Sequence, residues 1–158
     1  MRTIQRQIFK IARLMLSAFL EQHTKELDGR KGVCLAVMTK GNGNGHQTAT
    51  CVIGSLPEAK RQEKERFAKE KVARIQCLGE DTSFQSEDEK KQQYGGGIKV
   101  RDGLWVSASG FPPDLDEKFV LMLALMCDEL NRQQYGIISE LSSERRTHWK
   151  RLRKESNP

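Results

Sequence analysis

Histidines stand at positions 23, 46 and 148 and cysteines at 34, 51, 77 and 127. A metal centre needs several such groups at close spacing, and the chain has no HxH, HExxH or CxxC pattern. His46, in a turn-rich stretch, and His148, near the end, are the exposed candidates for one axial bond to a haem iron, with a solvated imidazole as the plain alternative. Met122, Met126 and Cys127 are chemically able to ligate iron too, but they fall on an apolar helix where core packing accounts for them. Nucleophilic catalysis has no signature: GxSxG is absent, as are a Cys-His arrangement and a framed pair of carboxylates. Ser107 and Ser109 alternate with their neighbours on one strand face and share it with Trp105, as small residues beneath a helix do. The sequence therefore predicts no intrinsic catalytic activity.

The residues that point to binding lie in one region. Tyr94 leads into Gly95, Gly96 and Gly97, a run that lets a ligand or another backbone approach closely, or else forms a bulge at a strand start. It is no dinucleotide fingerprint, because the flanking segments read as strand, loop and strand. Lys71 and Arg74 lie one turn apart on a helical segment, spaced to face an acidic group such as a propionate. The ligand-binding set predicted is Lys71, Arg74, Tyr94, Gly95, Gly96 and Gly97, with the polar loop 80–93 beside it as the rim of a pocket and no metal ligand assigned.

These residues need elements to hold them. Ile4, Ile8, Ile11, Met15, Ala18 and Phe19 recur at steps of three and four and predict an amphipathic first helix. "VCLAVMT" (33–39) and "QTATCVIG" (47–54) read as two strands around a connector with two Asn-Gly pairs. Ser55 and Glu58 stand in capping-box spacing before a second helix with a stripe of Phe67, Ala68, Val72, Ile75 and Leu78, stopped by Gly79. "GGIKV" and "LWVSASG" flank Asp102-Gly103 as a second hairpin. Asp114 and Glu117 give another capping-box start, for a helix whose apolar face is Phe119, Met122, Leu123, Met126 and Leu130, widened by Leu121, Ala124 and Leu125. So apolar a helix needs cover on more than one side, from the sheet and from another helix or subunit. The order helix, hairpin, helix, loop, hairpin, helix predicts a single α+β domain with an antiparallel sheet and segregated helices over 1–139. A basic tail follows over 140–158.

Composition narrows the partners. The chain of 158 residues carries net charge +6 with 30% charged residues of both signs, which suits a soluble surface as well as an anionic partner. Six basic residues between Arg145 and Lys154 surround Trp149, but they follow no known nucleic-acid motif, so nucleic acid is set aside. Polar residues interrupt the apolar N-terminal stretch and no apolar run reaches about 18 residues, so the reading is a cytoplasmic protein with reduced cysteines and no membrane partner.

The helix carrying "EKVARI", the "GGG" leading into a strand, the strand ending "SASG", two prolines and the helix start "DLDEKF" together resemble the GlcG-like or haem-degrading HbpS-like family. The resemblance covers roughly residues 1–135, its specific part being Lys71 to Lys118, and the matching positions are Lys71, Gly96, Gly97, Gly110 and Asp116. It implies a profilin-like fold, assembly into dimers and larger rings, and, in some members, binding of haem or a cobalamin-related tetrapyrrole. The expected function is a small-molecule binding protein with haem as the most concrete ligand. The alternative is an oligomeric scaffold that engages a protein partner without a cofactor.

Overall fold

The computed structural model describes residues 3–127, 133 and 136–143. Four antiparallel strands form one open sheet in the order β2-β1-β4-β3, from β1 (Lys31–Lys40), β2 (His46–Ser55), β3 (Gly97–Arg101) and β4 (Leu104–Ser109). The helices are α1 (Thr3–Gln22), the single turn α2 (Thr24–Leu27), α3 (Glu58–Leu78) and α4 (Pro113–Met126), and residues 136–143 are also helical. The fold is α+β and antiparallel, as the order of elements predicts.

The continuous apolar run of β1 follows from its central place. Val33, Leu35 and Val37 face a cluster with α1 and α4, while Cys34, Ala36 and Met38 face Ala68, Val72 and Ile75 of α3. Both faces of the sheet are thus covered by helices, so β1 has no polar face. Burial first, with Glu65 and Cys51 adding, pushes the Cys34 thiol up to about 11, which makes it an inert core group. Asp102 and Gly103 make the tight β3–β4 connection, with Gly103 at φ 76°. Among the described residues, no helix is long and apolar enough to cross a membrane.

Several local expectations change, among them Leu78 and Met126, which are exposed and not packed on their apolar stripes. The buried face of α1 consists of Gln5, Ile8, Phe9, Ala12, Met15, Leu16 and Phe19, with Ala18 exposed, because docking against α4 and β2 turns the stripe by about one residue. The capping box at Ser55 does not form: Ser55 ends β2 opposite Lys31, and Pro57, which has no side-chain acceptor, caps α3. The box at Asp114 does not form either, since Pro112 is the cap of α4 and Glu117 turns inward. The boundary at 139/140 falls inside helical residues 136–143, where Ser142 is buried; the basic cluster 145–154 and Leu130 lie outside the described residues.

Candidate functional site

Six positions stand out in the sequence, and all of them lie where the middle of α3 meets β4, the start of β3 and the loop after α3. Lys71 follows Phe67 by four residues and precedes Ile75 by four, so the helix period puts it on the buried face. Its side chain is 2% exposed. The ammonium donates to the Ala108 carbonyl at 2.6 Å and to Asp116 Oδ2 at 3.2 Å. Asp116 Oδ1 in turn accepts the Phe111 N–H at 2.9 Å. Burial pushes the Lys71 ammonium down and the Asp116 carboxyl up, and each charge opposes the other's shift.

Arg74 is buried one turn further on. It pairs with Glu70 at 3.0 Å and donates to the carbonyls of Ser83 at 3.2 Å and Tyr94 at 2.6 Å. The Arg74 guanidinium thus clamps both ends of the loop 80–93 onto α3. The Tyr94 ring lies edge-on to Phe67, with centroids 5.4 Å apart.

The three glycines have separate reasons. Gly95 lies flat against the Phe84 ring. Gly96, at φ 110°, leaves no room for a Cβ, which would sit 2.6 Å from Asp116 Cβ and 2.9 Å from Lys71 Nζ. At Gly97 a Cβ would meet Ile75 Cδ1 at 2.9 Å and Ser107 Cβ at 3.1 Å. The glycine run therefore lets one backbone cross a buried ion pair. The loop over it is packed: the Ser83 N–H donates to Gly97 O and the Gly97 N–H to Ser83 Oγ, both at 2.9 Å. A neighbouring network joins Thr82, Glu117 and Ser142 through short hydrogen bonds to the Glu117 carboxylate. Ser107 donates to Ala68 O at 2.6 Å, which fits its reading as a packing residue.

The concave surfaces lie elsewhere. At the end of the sheet where β1 finishes and β2 and β4 begin, a cavity of about 560 Å³ is lined by Ile4, Thr39, Lys40, His46, Arg101, Asp102, Gly103, Leu104 and Trp105. His46 opposes Lys40 in the register, and its ring stands edge-on to Trp105 with centroids 5.4 Å apart. Trp105 opposes Met38 across β1 and β4, so the indole belongs to the α3-side core and forms a fixed wall. At the opposite end of the sheet a cavity of about 310 Å³ lies between the α2–β1 turn and the first turn of α3. Neither cavity is lined by Lys71, Arg74, Tyr94 or Gly95 to Gly97. Among the described residues, no group of three His, Cys, Asp or Glu side chains is placed to hold a metal ion.

His46 is visible in the sequence as an exposed histidine, but its cavity partners are not. Ile4, Lys40, Arg101 and Trp105 come from three distant segments, and only the strand register brings them together. No protein family, curated protein or solved structure matches the chain.

Proposed function

We propose that the protein binds a small, flat, anionic molecule in the cavity of Ile4, Lys40, His46, Arg101, Leu104 and Trp105, with a tetrapyrrole such as haem as the concrete ligand. One observation carries this reading: a cavity of about 560 Å³ combines apolar and aromatic walls, an exposed imidazole and two cations, with one carboxylate, Asp102, that pairs with Lys99. That volume lies within the range of small-molecule sites, which are mostly apolar with a few placed polar groups. Were haem bound, the His46 imidazole beside Trp105 would hold its iron, and Lys40 and Arg101 would pair with its carboxylates. Bound haem would supply a redox-active iron; the chain's own part is to hold and shield it. A haemin titration followed at the Soret band tests this. Saturation at one haem per chain is expected, weakened at least tenfold in His46→Ala and again in Lys40→Ala/Arg101→Ala. An unsaturable rise shared by all three proteins would sink the proposal.

A second reading, self-assembly, is favoured by the sheet edges. The outer edge of β3 is closed by the preceding loop, through the Thr82–Ile98 bridge and the Lys99 N–H to Asp81 O bond. The ten residues of β2, HQTATCVIGS, end the sheet on the other side with no Lys, Arg, Asp, Glu or Pro among them. Such an edge lacks the residues that normally discourage pairing. Antiparallel pairing of β2 with the β2 of a second copy is the expected contact. Light scattering behind size exclusion should give a dimer mass, and a monomer mass for Thr48→Lys. A monomer in both proteins would end this reading.

A further inference from the structure

The smaller cavity has a different chemistry. Its walls come from the α2–β1 turn (Asp28 to Gly32), the end of β2, the start of α3 and Gly110. Four cationic residues line it: Arg30, Lys31, Lys60 and Lys64. Lys64 lies 3.8 Å from Glu63 and over the Phe67 ring. The side chains of Arg30, Lys31 and Lys60 have no carboxylate partner among the described residues, and the single acid in the lining is Asp28. Three cations without carboxylate partners line one concavity, and an anion held there is attracted by all three.

The backbone favours the same ligand. α3 runs for 21 residues, and Pro57 and Lys60 at its start line the cavity, so the positive end of its dipole lies beside it. Gly32 and Gly110 both line the cavity and pack backbone on backbone, since a Cβ on Gly110 would meet Gly32 O at 2.6 Å and Val33 Cα at 2.9 Å. The volume of about 310 Å³ sits at the lower end for small-molecule sites.

We propose that this cavity binds the phosphate group of a small phosphorylated molecule, with Arg30, Lys31 and Lys60 as its cationic ligands. An arginine offers phosphate a two-pronged hydrogen bond, while the lysines act as point charges. The site lies at the far end of β1 from His46, nine residues away along the strand and roughly 30 Å at the usual rise, so it stands or falls independently of the haem reading.

The test is an amide NMR titration of the full chain at pH 7, replacing chloride by inorganic phosphate at constant ionic strength. Saturable shifts are expected at Gly29, Lys31, Gly32, Ser55 and Gly110, with affinity at least tenfold weaker in Lys31→Gln/Lys60→Gln. All three residues at 30, 31 and 60 are exposed, so that variant should keep the wild-type urea midpoint. Ribose 5-phosphate should bind at least as tightly as inorganic phosphate. Shifts that grow without saturation, or that persist undiminished in the double variant, would overturn the site; weaker binding of ribose 5-phosphate would overturn the assignment to an organic phosphate.

Discussion

Lys71→Met should lower the folding free energy by about 3–5 kcal/mol, because it strands the Asp116 carboxylate in the core. The ammonium and the carboxylate are each at most 3% exposed, so neither charge has water to fall back on. Burial already works against both charged forms, and their attraction together with the Ala108 and Phe111 bonds is what offsets it. Removing both charges should therefore cost less than removing one. In Lys71→Met/Asp116→Asn the amide oxygen still accepts the Phe111 N–H and no charge is left unpaired. Urea denaturation should show the double variant recovering at least about 2 kcal/mol relative to Lys71→Met. Additive losses would mean that the two side chains do not act as a pair.

The second large effect is at Gly96. Gly96→Val should cost about 3–5 kcal/mol, combining a residue forced to φ 110° with a Cβ 2.6 Å from that of Asp116. The backbone part can be separated from the clash at Gly29, which has φ 76° and nothing within 4 Å of where a Cβ would sit. Gly29→Ala should cost only about 1 kcal/mol by the same denaturation. Equal losses at the two positions would show that conformation alone, and not the crossing over the Lys71–Asp116 pair, requires the glycine.

Much of the fold is legible in the sequence because one signal dominates each element. The run 33–39 is apolar at every position before Thr39, which fits a strand covered on both faces, and Gly79 ends α3 in a left-handed conformation at φ 68°. Phase is harder than identity: α1 carries apolar residues on more than half its circumference, and which of them turn inward depends on α4 and β2. The caps mislead because the Ser55 and Asp114 spacing is local, whereas the strand pairing of Ser55 with Lys31 and the prolines at 112 and 113 are what set the helix starts.

The buried ion pair is legible in phase but hidden by residue type. Lys71 falls in step with Phe67 and Ile75, and Asp116 with Phe119, Val120 and Leu123, so the period assigns both to buried faces while their charge argues for solvent. Two opposite charges in phase on two helices, with a glycine run between them in sequence, is the pattern that marks such a pair. The cavities have no comparable signal, since both are assembled from the ends of strands that lie far apart in the chain.

A ligand held in the cavity beside His46 and Trp105, with the glycine run left to packing, has a direct spectroscopic signature. Amide NMR mapping with zinc protoporphyrin, a diamagnetic stand-in for haem, tests for it most directly. Shifts gathered at Thr39, Lys40, His46 and Gly103 to Trp105, with Lys71 and Gly95 to Gly97 unmoved, are the predicted result. Shifts centred on Gly95 to Gly97 would contradict it and return the site to the loop over α3.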